Sequence, residues 1–549
     1  MFRTIHDQNK RQWSGPKTES IFNPRISLGS VILNALEVNG SRVAQICAKT
    51  NKQTTFADLH TLTIRAAKKF QHYGFKKGQL IFVLTDNSAD VPPLVFAALC
   101  LGCVVTSLPL CYTKLEYSQY FSIVRPNYVI CDLKFYVTLN ECFMDLSIVD
   151  VEFFTFDGHL DETHPIEKIF EGNDSDLYFV PTEVSGVTDA AFIFQTSGTS
   201  GQTKGVCISH AAVIDKIQRF SQFIKSTDII MGLINLDRIT IIRYLFAATL
   251  YGATRLVNVR PFTAERFFEL VERYEVTNVM ESPHRVAELL NHPQIETAKL
   301  FSIKYYTCGS AYLSYDAIRK MGSYLNGGRF CRAFGMTETV STIAANLNHS
   351  KNDCVGQLIS GCVAKIINEK GERQGINEDG ELCIKLSFPF LRYLGDSEKT
   401  RNYFDEEGFF ATGDIARFDS TGDLFIVGRK KELFKCKNEH VTPTQIEEFL
   451  NKIDGVEYSC IVPIPNEECD NLPAAIVVKS INSTCTEDSI YEAVANAFSR
   501  HKWLDGGVYF VDSLPMTSSR KIKRHLIAKM TIFTMTKLTK HPETVEHIN

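Results

Sequence analysis

The sequence predicts an α/β protein, with a large N-terminal α/β domain of several parts and a small α+β domain after it. Three observations carry this. Short apolar runs at 80–84, 104–108 and 128–131 alternate with stretches of helical spacing, the pattern of a doubly wound, mainly parallel sheet with helical crossovers. The chain has 549 residues, more than one ordinary hydrophobic core, so two or more domains are expected. Past Gly428 the pattern changes to one short helix and two strands, which places a boundary there. No segment recurs with the period of a repeat protein, and no low-complexity tract is present.

Taken in order, residues 28–36 read as a helix within a lead-in covering 1–50. Residues 56–73 set Leu59, Leu62, Ile64, Ala67 and Phe70 at helical spacing, with Gly74 and Gly78 closing the segment. The most apolar stretch, 91–110, approaches membrane-spanning length. It holds Pro92, Pro93 and Pro109, with Asp86 and Asp90 upstream, so it reads as a buried helix followed by a strand. Further strands are expected at 191–194, 278–280, 302–307 and 424–427. Helices are expected at 210–219, at 262–274 and in 245–256 up to Gly252, with a strand after that glycine. In the last part, 443–450 reads as a helix with Thr442 as its cap and Glu447 and Glu448 on it. Strands at 459–462 and 474–478 follow.

Composition narrows the function. The chain is 44% hydrophobic and 22% charged, with a net charge of −4, the balance of a globular protein and not of a basic nucleic-acid binder. The N-terminal residues lack the apolar core of a signal peptide, and no transmembrane segment is expected. Sixteen cysteines are scattered along the chain, and reduced thiols in an intracellular protein are the simplest reading. Cys100 and Cys103 lie in an apolar run without a second ligand pair and read as core packing.

The stretch richest in chemistry is Gln195-Thr196-Ser197-Gly198-Thr199-Ser200-Gly201-Gln202-Thr203-Lys204-Gly205-Val206. It lies between an apolar strand and a helix. Gly198, Gly201 and Gly205 admit backbone angles that other residues avoid. Hydroxyls, backbone N–H groups and a closing lysine suit a chain of phosphates, although a Ser/Gly surface turn has the same composition. It is not a P-loop, because Gly205 and not a Ser or Thr follows Lys204.

This stretch resembles the signature of the adenylate-forming superfamily, which includes acyl-CoA synthetases, 4-coumarate–CoA ligases and firefly luciferase. Ser200 stands where that family usually has Thr, and Thr203 where it has Pro. The resemblance continues at Cys308-Gly309-Ser310-Ala311, similar to the family's substrate-and-nucleotide turn. It continues again at Phe334-Gly335-Met336-Thr337-Glu338, similar to its YGxTE motif. Gly380-Glu381-Leu382, Tyr393-Leu394-Gly395 and Gly408 to Asp414 follow in order. Gly428-Arg429-Lys430-Lys431-Glu432 resembles the family hinge, and Leu514 to Lys521 its PxTxxGK motif. Together the motifs cover about residues 56–524.

The resemblance implies a domain of residues 1–428 for ATP and acid, a hinge at 429–432 and a mobile cap at 433–549. ATP or AMP is expected at Thr196, Ser197, Gly198, Thr199, Ser200, Gly201, Lys204, Gly309, Ser310, Ala311, Phe334, Gly335, Met336 and Thr337. Asp414 and Arg429 are expected at the ribose, and Glu338 at magnesium, which favours oxygen ligands and few carboxylates. Lys521 would contact carboxylate and phosphate, and Lys431, Glu432 and Lys435 would serve the hinge and thioester step. The implied activity joins a fatty or aromatic carboxylic acid to coenzyme A through an acyl-adenylate, using ATP, Mg2+ and coenzyme A. A peroxisomal or cytoplasmic location follows from the same likeness, with no Ser-Lys-Leu-type address at Ile548-Asn549.

The chain also departs from the pattern. Asn438 replaces a glycine after the hinge, and Arg520 replaces the glycine beside Lys521. Arg238 occupies the place of a histidine that lies near the acyl carboxylate in relatives. An arginine there either pairs with a carboxylate or is held by Asp237. These departures keep open a catalytically weak nucleotide or acyl-CoA binding protein. Arg219-Phe220-Ser221 resembles luciferase locally and keeps open a luciferase-like monooxygenase. The acid itself is not legible.

Overall fold

The computed structural model describes residues 3–17, 20–86, 89–172, 177–197, 203–232, 236–257, 261–309, 313–347, 351, 354–396, 400–436, 439–466, 469–517, 521–524 and 526–531. They form two compact units. The first holds the chain up to Ala364, Ile384–Ala411 and Thr421–Leu424, and the second holds Lys365–Cys383, Thr412–Ser420 and the chain from Phe425. This division does not follow the single boundary at 428/429. Residues 380–383, 412–418 and 425–429 lie on neighbouring strands, and that pairing groups them.

The first unit contains two mainly parallel arrays. In one, the strands Ala190–Ser197, Val104–Ser107, Leu80–Leu84, Tyr128–Asp132 and Glu152–Phe156 run parallel as successive neighbours. In the other, Thr254–Val257, Ile229–Gly232, Asn278–Glu281, Tyr305–Gly309 and Arg329–Met336 do the same. Strand Ser341–Asn346 then turns back antiparallel on Arg329–Met336. Parallel strands flanked by helices are buried on both faces, hence their continuous apolar runs.

Helix Phe56–His72 shows how the pattern becomes packing. Thr55 and Asp58 form a capping box at its start, and Phe56, Leu59, Ile64, Ala67 and Phe70 face the core. Leu62 is only half-buried. The apolar stretch resolves into helix Val91–Cys100 and strand Val104–Ser107, as expected. Leu94, Phe96 and Leu99 are almost wholly buried, each contributing about 1.5–3 kcal/mol. All sixteen cysteines are free, and burial pushes the thiols of Cys100 and Cys103 up to about 12. Both are core side chains. Among the described residues no helix is long and apolar enough to cross a membrane.

The second unit packs helices Pro443–Leu450 and Glu487–Ala497 with a sheet of Val456–Asn466, Asp470–Lys479 and Val508–Phe510. Both observed strands that cover 459–462 and 474–478 are longer than their apolar cores. Thr442 occupies the cap position of its helix, but its side chain makes no capping hydrogen bond. Pro443 at the first helical position has no N–H, so one of the unpaired amides at the helix start is removed without a cap.

Strand 302–307 is corrected to Tyr305–Gly309, because Leu300 to Ile303 closes in a turn. The unit around the Gly-rich loop is also corrected. Thr203–Ser209 is a strand, antiparallel to Ala190–Ser197, and the helix His210–Gln218 begins only after it. Ser209 caps that helix by accepting from the Ala212 amide.

His210 is buried, and its Nδ1 accepts from the Leu28 amide at 3.1 Å. Burial pulls its pKa from 6.5 to about 4. The unfolded chain binds this proton as pH falls through 6.5, while the folded chain resists it until about 4. Stability is therefore lost as pH falls from 6.5 toward 4, by up to about 3 kcal/mol. Urea midpoints across that window are expected to decline less in His210→Asn than in the wild type.

Candidate active site

The site is built where the Gly-rich hairpin meets the end of strand Arg329–Met336. Hairpin register sets Thr196 opposite Lys204 and Ser197 opposite Thr203. Gly198, Thr199, Ser200 and Gly201 lie outside the described residues, as do Ser310, Ala311, Asn438 and Arg520. Lys204 is half-buried. Its Nζ donates to the Tyr403 hydroxyl at 3.1 Å and lies 4.4 Å above the Tyr393 ring and 5.0 Å from that of Tyr403. Aromatic faces attract an ammonium without neutralising it. Among the described residues no carboxylate pairs with Lys204, so its charge stays available to an anion.

Tyr393 lies on the short strand Arg392–Tyr393, paired with Val206 and Cys207 beyond Lys204. Its hydroxyl donates to Glu338 Oε1 at 2.9 Å, and burial beside that carboxylate pushes the phenol well above its usual range. Glu338 is 7% exposed, and no described cation pairs with it. A buried carboxylate with one neutral donor is unfavourable alone and fits a divalent cation that takes few protein ligands. Glu338 belongs to the one-turn helix Thr337–Thr339 that ends the strand. Val340 closes that turn at φ 56°, fully buried, a left-handed conformation rare for a β-branched residue. Strain of this kind costs about 1–3 kcal/mol and gathers at functional sites.

Phe334, Gly335, Met336 and Thr337 thus share one strand end, with Gly309 ending the neighbouring strand opposite Ala333. A Cβ on Gly309 would lie 2.7 Å from the Ala333 carbonyl oxygen, so glycine is needed for this approach. Arg238 pairs with Asp237 at 3.0 Å and is 43% exposed.

In the second unit, Arg429 Nε meets Asp414 Oδ1 at 2.9 Å, joining the two residues expected at the ribose. Asp414 is not just past a strand but inside one, Phe410–Phe418, after Gly413 at φ 74°. Glu432 reaches Arg524, which also pairs with Glu447. Lys435 is exposed, and its carbonyl accepts from Asn471. Lys521 is exposed, with its backbone pinned to Thr517 by two hydrogen bonds.

Sequence reasoning missed the two tyrosines around Lys204. Tyr393 lies in Tyr393-Leu394-Gly395, where its sequence gives it no role, and Tyr403 lies in no motif. It also missed Lys216 and Arg243. Each is a lone cation in a helical stretch, a common surface pattern.

The model of the AMP-binding enzyme family matches residues 34–394, and that of the AMP-binding enzyme C-terminal domain matches 445–521. The chain belongs to this adenylate-forming family. A 4-coumarate–CoA ligase 3 of Arabidopsis thaliana is 26% identical over 492 residues, 87% of each chain. Luciferin 4-monooxygenase of Luciola mingrelica is 27% identical over 499 residues, 88% of this chain and 90% of its own. The solved structure of ATP-bound MatB from Rhodopseudomonas palustris shares the fold, with a TM-score of 0.83 at 22% identity, covering 92% of this chain and 99% of that one.

Gly309→Ala forces its methyl against backbone and is expected to cost about 1–3 kcal/mol. Thermal melting checks this, with Gly322→Ala as control, since a Cβ there meets nothing within 4 Å.

Proposed function

We propose that the chain is an ATP-dependent acid–thiol ligase, joining a carboxylic acid to coenzyme A through an acyl-adenylate. The observation that carries this is the chain of contacts Lys204–Tyr393–Glu338, an available cation and a buried carboxylate held by one phenol. The 4-coumarate–CoA ligases among the relatives support the same reading.

In this reading the acid carboxylate attacks the α-phosphorus of ATP, and pyrophosphate leaves. Lys204 offsets charge on the phosphate oxygens, and the Thr337 hydroxyl donates to the α-phosphate. Glu338 would hold Mg2+, which when bound neutralises phosphate charge and orients the leaving group. Asp414 accepts from the ribose hydroxyls, with Arg429 fixing its carboxylate. Lys521 supplies a second cation at the reacting carboxylate and phosphate. A rotation about Lys431 and Glu432, of the hinge type, then withdraws Lys521 and brings the face with Lys435 forward. The coenzyme A thiol attacks the acyl carbonyl, and AMP leaves.

Pyrophosphate release across a panel of acids tests the reading. Lys521→Ala is expected to lower it by roughly 10²–10³-fold. Release at the wild-type rate removes Lys521 from the mechanism. The luciferin 4-monooxygenase relative supports a second reading, an oxygenase. Light emission with luciferin and ATP tests it, and a dark reaction discards it.

A further inference from the structure

A cavity opens beside the strands that carry the candidate site. It is lined by Thr307 and Ala333, on the strands that lead into Gly309 and Phe334, and by Thr342 on the returning strand. Ala333 directly precedes the strand end that carries Phe334 to Thr337, so the cavity adjoins the proposed reaction centre. Its free volume is about 40 Å³, room for a small group and no more.

Among the described residues, three cations line this cavity, Lys216, Arg219 and Arg243, and no carboxylate does. The nearby acid, Asp215, is already engaged. Arg219 donates to both its carboxylate oxygens, at 2.6 and 3.1 Å. Gly361, at φ 69°, makes room for that guanidinium, since a Cβ there would lie 2.3 Å from its Nη1. Lys216 is 2% exposed, and its Nζ has no hydrogen-bond partner. Burial, with Arg219 close by, pulls its pKa down to about 8. Arg243 donates to the Thr307 hydroxyl at 2.6 Å and lies 5.3 Å from the Phe220 ring, both neutral partners. It sits on a π-helical turn, Ile242–Ala247, an irregularity frequent at functional sites.

Among the described residues, one carboxylate beside three cations leaves the buried Lys216 ammonium and the partly buried Arg243 guanidinium without a counterion, an unfavourable arrangement. The rest of the lining is apolar or neutral. A ligand anion resolves the imbalance, and a guanidinium fork suits a carboxylate.

We propose that the acid activated by this chain is a dicarboxylic acid, whose second carboxylate is held by Arg243 and Lys216 at the inner end of this cavity. The proposal rests on the ligase reading and specifies its substrate class. Thr307 lies two residues before Gly309, about 7 Å along the strand. The second carboxylate is therefore separated from the reacting one by a short spacer. Arg243 and Lys216 act as specificity-determining residues and take no part in the transfer itself.

Calorimetric binding and pyrophosphate release are measured in parallel on the full chain. The probes are succinate, glutarate, adipate and suberate, against butyrate, valerate, hexanoate and octanoate. At least one diacid is expected to bind more tightly than its matched monoacid by roughly tenfold or more. Arg243→Met and Lys216→Met are each expected to erase most of that preference and to leave ATP binding unchanged. Equal or tighter binding of the monoacid at every length overturns the proposal, as does a preference that survives in both variants. If either variant fails to fold, the other and the wild-type panel still decide. Diacid binding without pyrophosphate release from any acid sinks the ligase reading and leaves the anion site standing. Turnover confined to monoacids sinks the diacid assignment and leaves the ligase.

Discussion

The phenol of Tyr393 joins the two charges on which the candidate site depends. Its ring faces the ammonium of Lys204, and its hydroxyl donates to Glu338. Opposite charges left to themselves collapse into an ion pair, and an ion pair binds neither phosphate nor magnesium well. A neutral aromatic between them keeps both available. The short strand Arg392–Tyr393 fixes the ring by pairing along the far side of the Gly-rich hairpin. Residues almost two hundred positions apart in sequence thereby act on one another.

The same logic runs through the neighbouring cavity with a different outcome. There the neutral partners are Thr307 and the Phe220 ring, and the charges they surround are all positive except for Asp215. Folding stabilises the helices and strands around these cations and leaves the electrostatic imbalance in place. Sites that bind charged ligands commonly carry such imbalance, because a ligand of opposite sign then gains from it. Strain at Val340 and the π-helical turn at Ile242–Ala247 mark the same region as one where local regularity is given up.

Much of the fold was legible because apolar periodicity reports burial directly. Strand Leu80–Leu84 and helix Pro443–Leu450 fall where their patterns place them. The strand Thr203–Ser209 was not legible, since its first residues are the small polar ones of the loop and only hairpin pairing makes them extended. Asp414 was recognisable by its motif, but its position inside a strand was not, because Gly413 looks like a turn. Lys204 and Glu338 carried motif signals. Tyr403, Lys216 and Arg243 carried none, because a lone tyrosine or cation acquires meaning only from what tertiary packing sets against it.

The central claim is that a carboxylate oxygen of the acid bonds to the α-phosphorus of ATP. The most direct measurement follows that oxygen. An accepted acid labelled with heavy oxygen in its carboxyl group is turned over with ATP and coenzyme A, and the products are weighed by mass spectrometry. Attack by the carboxylate, followed by thiol attack at the carbonyl carbon, leaves one labelled oxygen in AMP. Thioester formed with unlabelled AMP, or label in the pyrophosphate, contradicts the account.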